Sequence, residues 1–221
     1  MDTFHAFPKT PRLLREVVIT EKIDGSNAQI VIHDNTVDPT ALPVALPWVW
    51  YNERYSIAAG SRTRWITPGK NTDNYGFAGW VRDNAEELTK LGHGRHFGEW
   101  WGQGIQRNYE VENKRFSLFN AGRWTPHNND VVPGDWCQHY SGVIDAEGVT
   151  VSCCRVVPMI WTGIFDTTDT RNAIEILKSH GSFAAPGFKN PEGIMVYHTA
   201  AKQIFKQLIE NDDKPKGALD A

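Results

Sequence analysis

The stretch Glu21-Lys22-Ile23-Asp24-Gly25-Ser26-Asn27 decides how the rest of the chain is read. It lies between two apolar runs, Val17-Val18-Ile19 and Ala28-Gln29-Ile30-Val31-Ile32, which predict two strands joined by a turn at Gly25-Ser26. Lys22 then stands at a strand rim. Side-chain alternation puts Lys22 and Asp24 on one face, if the strand runs that far, and Glu21 on the other. A free lysine is almost wholly protonated at neutral pH, so a lysine used as nucleophile needs desolvation or neighbouring positive charge. A strand-to-turn junction suits that use; an ordinary charged surface hairpin is the competing reading.

Four further segments follow in order: Phe97-Gly98-Glu99-Trp100-Trp101-Gly102, Lys114-Arg115-Phe116-Ser117-Leu118-Phe119, Pro191-Glu192-Gly193-Ile194-Met195-Val196 and Gln203-Ile204-Phe205-Lys206. Each carries one residue with chemistry to offer. Glu99 on an aromatic-rich strand can accept hydrogen bonds from hydroxyls, or be a salt-bridged residue at the edge of a core. Phe119 presents a flat face for a purine, although a strand phenylalanine by itself is usually core. Glu192 is a hard oxygen donor for a divalent cation, and without the other segments it reads as a turn glutamate. Lys206, with Arg62 and Arg64 in Ser61-Arg62-Thr63-Arg64, supplies fixed positive charge for phosphate, against the plain reading of solvated surface cations.

Taken together, these segments resemble the covalent nucleotidyltransferases, and the form Glu-Lys-x-Asp-Gly-x-Asn at residues 21–27 is similar to the phage RNA ligase 2 family of ATP-dependent RNA ligases. Phe7-Pro8-Lys9-Thr10-Pro11-Arg12 resembles the family's opening segment, so the likeness spans nearly the whole chain. The resemblance implies that Lys22 takes AMP from ATP with Mg2+ or Mn2+. The AMP then passes to a polynucleotide 5′-phosphate, and a 3′-hydroxyl displaces it. It implies catalytic roles for Lys22, Glu192 and Lys206, and nucleotide binding by Glu21, Ile23, Asn27, Glu99, Phe119 and Lys206. Glu192 would hold the metal, while Arg62 and Arg64 would hold nucleic acid. The implied partner is RNA or a nicked duplex with 5′-phosphate and 3′-hydroxyl ends, with an accessory nucleic-acid-binding protein as a further partner. Three positions depart from the pattern: Ile204 stands at the first lysine of Lys-x-Lys, Tyr197 at a position commonly lysine, and Asn120 at an expected acid. Lys202 or Lys189 would compensate. A capping-type guanylyltransferase and a non-catalytic nucleotide- or RNA-binding module stay open as alternatives.

With 221 residues the chain fits one domain, expected over 1–211 with a polar tail at 212–221. The expected class is α+β, a nucleotidyltransferase domain of antiparallel sheets with flanking helices and no C-terminal OB domain. Strands are predicted at Ala28–His33, Phe97–Trp101, Arg115–Phe119, Val149–Ile160, Gly193–His198 and Gln203–Leu208. One helix, capped by Asp73 or Thr72, carries Phe77, Trp80, Val81, Leu88 and Leu91 as far as Gly92; a second, capped by Asp169, carries Ala173, Ile174 and Leu177 as far as Gly181. Asp38–Pro47 is expected to be a loop.

The net charge of −3 and pI near 6.2 exclude a generally basic nucleic-acid binder and leave a localised patch, drawn from Arg54, Arg62, Arg64, Lys70, Arg107, Lys114 and Arg115. Of nine tryptophans, Trp65, Trp100 and Trp101 are candidates for a stacking groove. No leader or run of about eighteen apolar residues is present, so a cytoplasmic location without membrane is expected. Cys137, Cys153 and Cys154 fit reduced thiols better than disulfides, and Cys137-Gln138-His139 lacks a second ligand pair for zinc.

Overall fold

A computed structural model describes residues 3–37, 46–124, 143–144 and 150–213. In chain order the elements are β1 (Glu16–Lys22), β2 (Ser26–Asp34), β3 (Trp48–Tyr51), β4 (Tyr55–Ser61), β5 (Trp65–Ile66), α1 (Phe77–Asp83), α2 (Ala85–Leu88), β6 (Gly94–Gly102), β7 (Lys114–Leu118), α3 (Ala121–Trp124), β8 (Val143–Ile144), β9 (Thr150–Val151), β10 (Arg155–Val156), β11 (Met159–Ile164), α4 (Thr167–His180), β12 (Gly193–His198) and β13 (Gln203–Leu208). They form an α+β domain. A four-stranded sheet runs β11-β1-β12-β13, and a seven-stranded sheet runs β10-β7-β6-β2-β4-β3 with β5 on β4. Every pairing is antiparallel except β10 with β7.

The two strands predicted to be joined through Gly25 are both present, but they do not pair with each other. β1 belongs to the smaller sheet and β2 to the larger, so Ile23-Asp24-Gly25 is the crossover between sheets. Each sheet hides one face under helices. Ala28, Ile30, Ile32, Ile57, Trp100, Phe116 and Leu118 pack with Phe77, Val81, Leu88 and Leu91. Val17, Ile19, Ile194 and Val196 pack with Ala173, Ile174 and Leu177 of α4. The opposite faces carry Lys22, Glu99 and Lys206, and a small cluster of Ile23, Trp101, Tyr109, Val157 and Phe188 plugs the junction.

The first predicted helix is present but divided at Asn84, whose side-chain amide donates to the Trp80 carbonyl at 2.8 Å and so competes with the helical ladder. Asp73 accepts from the Ala78 and Gly79 N–H groups at 2.8 and 3.0 Å, satisfying donors a helix start leaves free. In the second helix the cap is Asp166, which accepts from Thr168 N–H at 2.7 Å, and Asp169 lies in the first turn. The predicted strand Val149–Ile160 breaks into β9, β10 and the start of β11: after β9 the Ser152 N–H donates to the Glu87 carboxylate at 2.8 Å and not to a strand, and between β10 and β11 Pro158 has no N–H to donate to a ladder. Residues 38–45 of the predicted loop, 214–221 of the tail, Val149 and the Cys137–His139 segment lie outside the described residues. Cys153 and Cys154 are free thiols. Among the described residues no helix is long and apolar enough to cross a membrane.

Candidate active site

Alternation along β1 turns Val17, Ile19 and Glu21 toward α4 and leaves Val18, Thr20 and Lys22 on the other face. Lys22, the last residue of β1, sits opposite Gly193 of β12. The preceding residue, Glu192, is fixed by its carbonyl accepting from Ile209 N–H at 3.0 Å, and its carboxylate is in direct ion-pair contact with the Lys22 Nζ. A Cβ on Gly193 would lie 2.2 Å from the Gln207 carbonyl oxygen, so the turn that presents Glu192 requires glycine. Gly25 is equally constrained. A Cβ there would lie 2.6 Å from the Trp100 carbonyl oxygen and 2.8 Å from Trp101 Cβ, which is how closely the crossover packs on β6.

That packing brings in Glu99. It stands opposite Asn27 in the larger sheet, accepts from the Gly25 N–H, and lies within electrostatic range of Lys22, Glu192 and Asp24. Burial is the main cause that pushes its carboxyl up to about 7; Glu192 and Asp24 push the same way, and the Lys22 charge opposes them. Lys22, Asp24, Glu99 and Glu192 thus form one charged cluster at the meeting of the sheets.

The remaining predicted residues divide. Asn27 is half-buried beside Glu99, and Phe119, just beyond β7, is exposed on the same face. Lys206 is exposed on the Lys22 face, opposite Met195, two strands over and two residues along, about 10 Å across and 7 Å lengthwise. Of the expected nucleotide set, Glu21 and Ile23 turn their side chains away from this cleft. Glu21 is buried, accepting from Ser182 Oγ at 2.5 Å and from the Phe183 and Ala184 N–H groups at 2.8 and 3.0 Å. Burial nonetheless pushes its carboxyl up. Ile23 fills the junction cluster.

Arg62 is exposed in the Ser61–Arg64 turn, whereas the Arg64 guanidinium donates to the Thr72 carbonyl at 3.1 Å. Most of the expected basic patch is engaged elsewhere: Arg54 pairs with Asp34, Lys114 donates to the Tyr75 carbonyl, and Arg115 lies over the Trp101 ring. Trp100 and Trp101 are buried core and not groove residues, because β6 turns one toward Phe77 and the other toward Tyr109. Lys189 is tied to the His180 carbonyl, while Lys202 is exposed in the turn after β12. The departures Tyr197 and Ile204 are direct cross-strand neighbours, both exposed, on the sheet face of Lys22 and Lys206.

Three residues complete the site without a motif to announce them. Arg107 Nε donates to Asp24 Oδ2 at 3.1 Å, and its terminal nitrogen donates to Asn190 at 2.8 Å (Oδ1) and 3.1 Å (carbonyl). The Asp24 N–H donates to Tyr109 Oη at 2.7 Å. Asn108, Tyr109 and Glu110 hold this position with φ of 64°, 52° and 53°, a left-handed run that side-chain-bearing residues rarely adopt. Arg107 therefore fastens the crossover after Lys22 to the loop before Glu192.

The two-sheet α+β architecture is that of a nucleotidyltransferase domain. Residues 15–208 match the protein-family model described as RNA ligase, and the chain belongs to that family. Among solved structures it is similar to a Naegleria gruberi RNA ligase mutant with ATP and Mn, at 17% identity and a TM-score of 0.54, covering 90% of this chain and 51% of that one. A mutant of the same ligase with AMP and Mn gives 16% identity, a TM-score of 0.51, and coverage of 89% and 50%. These likenesses concern the fold, and the chain spans about half the length of the ligase chains it matches. No curated protein matches it.

Proposed function

We propose that the chain is an ATP-dependent RNA ligase that works through a covalent lysyl-AMP intermediate on Lys22. The observation that carries this reading is the Lys22 amine at the sheet crossover, touching Glu192 and sharing a partly buried charged cluster with Glu99. The ammonium gives up a proton, for which the adjoining Glu192 carboxylate is the acceptor at hand. The nitrogen lone pair then attacks the α-phosphorus; a P–N bond forms, the bond to the bridging oxygen breaks, and pyrophosphate leaves. In the next step a polynucleotide 5′-phosphate oxygen displaces the lysine and takes the AMP. A 3′-hydroxyl oxygen then attacks that 5′-phosphate, and AMP leaves. Glu99 accepts from the ribose hydroxyls, Phe119 stacks on the purine, Asn27 adds a polar contact, and Lys206 stabilises phosphate charge. Arg62 grips the 5′-phosphate.

Among the described residues no group of three or more His, Cys, Asp or Glu forms a dedicated metal cage. One carboxylate, Glu192, fits Mg2+ or Mn2+ that takes its other ligands from water and phosphate. Such an ion would supply charge neutralisation on the transferring phosphate. The Naegleria ligase structures with ATP or AMP and Mn support the nucleotide and metal assignments.

Intact-mass measurement after exposure to ATP with Mg2+ or Mn2+ tests the reading. A gain of one AMP is expected in wild type and none in Lys22→Ala. An unchanged adduct in the variant sinks the nucleophile assignment. An adduct from GTP and none from ATP points instead to a guanylyltransferase. Nucleotide binding with no adduct identifies a non-catalytic module, the reading that the exposed Tyr197–Ile204 pair favours, because it stands where phosphate-binding lysines were expected.

A further inference from the structure

The register of the larger sheet continues from Phe119 into a row of residues that the nucleotide chemistry leaves unused. On the face away from its helices, Phe119 lies beside Phe97, Phe97 opposite Gln29, Gln29 opposite Gly60, and Gly60 opposite Trp65. The row crosses β7, β6, β2, β4 and β5, which at ordinary strand spacing is about 19 Å. It shares its face with Glu99, since Phe97 and Glu99 are two apart on β6. Phe97 is 47% and Phe119 38% exposed, an unusual placement for two phenylalanines whose strand neighbours His96, Gly98, Phe116 and Leu118 are buried.

The row is also braced. The Arg95 guanidinium lies 5.4 Å from the Trp65 ring centroid and 6.0 Å from that of Phe97, and it donates to the Gln29 side-chain oxygen. The glutamine side chain in turn lies over Gly60, where a Cβ would come within 2.8 Å of it, and its amide donates to the Ser61 carbonyl at 3.1 Å. Two aromatic rings with a held guanidinium between them offer π-systems that accept a base without regard to sequence. Next to Trp65, at the far end of the row, the Ser61–Arg64 turn carries the exposed Arg62.

We propose that Phe97, Arg95 and Trp65 form a base-stacking site for an unpaired RNA nucleotide, separate from the Phe119 purine contact and leading from it toward Arg62. The occupant follows from the chemistry: π-faces and a guanidinium plane suit a nucleobase, and the arginine turn suits its phosphate. The proposal rests on the RNA ligase reading for the identity of the polynucleotide, but its test does not depend on catalysis.

The test compares a short 5′-phosphorylated single-stranded RNA with the same chain bearing abasic residues. Binding is followed by fluorescence anisotropy with AMP saturating, so that the Phe119 pocket is filled. Wild type should prefer the base-bearing RNA at least about fivefold, the low end of stacking contributions. Phe97→Ala and Trp65→Ala should each bring the two ligands within about twofold while the thermal melts stay cooperative. Phe97→Leu, which keeps bulk and removes the π-face, serves if Phe97→Ala does not fold. Discrimination preserved in the Phe97 and Trp65 variants, or absent in wild type, overturns the proposal. Wild-type mass after ATP treatment separates the two readings: an adduct without base discrimination defeats this site alone, and discrimination erased by the variants without an adduct supports this site and defeats the lysyl-AMP chemistry.

Discussion

Glu99 gives the most direct handle on the site, because its carboxyl is pushed up to about 7 by burial. An unfolded glutamate ionises near 4.5, so between about 4.5 and 7 the folded state holds a proton that the unfolded state has released. Stability therefore falls as pH rises through that window, by up to roughly 3 kcal/mol, and levels off above it. Glu21 is raised as well, so the difference between wild type and Glu99→Gln isolates the effect. Urea unfolding from pH 4 to 8 should show Glu99→Gln gaining on wild type across the window; parallel curves would mean that the folded Glu99 carboxyl ionises where the unfolded one does. Nucleotide affinity runs the opposite way. Only the ionised carboxylate offers its full accepting capacity to ribose hydroxyls, so the KM for ATP should drop as pH rises through about 7 in wild type and stay flat in Glu99→Gln. Under the proposed lysyl-AMP chemistry, Glu192 and Lys206 act on phosphate more than on folding. Alanine at either should slow adduct formation about a hundredfold, the scale of a lost charge-stabilising group, with little change in Tm. Retained activity with a collapsed Tm would make them structural residues.

Among the elements, the segment after β6 has an influence out of proportion to its length. The Arg107–Asp24 ion pair is partly exposed, with side-chain exposures of 26% and 28%, and such pairs contribute at most about 1 kcal/mol to stability. Its effect on geometry is larger, since Arg107 also holds Asn190 and so sets the Lys22 crossover against the Glu192 turn. A shift of about 1 Å between reacting groups costs on the order of a hundredfold in rate. Arg107→Ala should therefore slow adduct formation at least about tenfold with the ATP KM nearly unchanged, and Arg107→Lys should recover part of it. Equal losses in Tm and in rate would assign Arg107 to folding. This segment was illegible in the sequence, because a left-handed run at Asn108, Tyr109 and Glu110 has no period and no glycine to mark it. The strands were legible where β-branched and other apolar residues cluster, as in β2 and β12, and the start of α1 was announced by Asp73, which accepts from that helix's first-turn N–H groups. β4 went unread because Ser56 to Gly60, mostly small residues with Ile57 among them, are buried on both faces and leave no alternation, and β3 because it is only four residues long. Glu21 shows the same limit: its motif position was legible, but the buried loop of Ser182 to Ala184 that claims its carboxylate lies 161 residues away and no local signal announces it.

At the scale of the molecule, the net charge of −3 made a generally basic surface improbable, and the structure shows where the few cations stand. Arg54, Arg107, Lys114 and Arg115 are held by Asp34, Asp24, the Tyr75 carbonyl and Trp101, leaving Arg62, Lys202 and Lys206 among the exposed cations near the open faces. Each phosphate neutralised adds about 0.7 to 0.9 to the slope of log affinity against log salt. Under the RNA ligase reading, two or three cations spent on RNA, with Tyr197 and Ile204 where further lysines would steepen the dependence, should give a slope of magnitude about 1.4 to 2.7. Arg62→Ala should reduce that magnitude by about 1, and Tyr197→Lys should increase it by about 1, as a phosphate contact is lost or gained. Anisotropy titrations of a 5′-phosphorylated nicked duplex over a salt series measure all three. Self-adenylylation in Arg62→Ala completes the comparison. If the adduct forms normally while the slope falls, Arg62 acts on the polynucleotide; if the adduct is lost, it belongs to the nucleotide pocket; and if neither changes, Arg62 is a solvated arginine and the 5′-phosphate is held elsewhere.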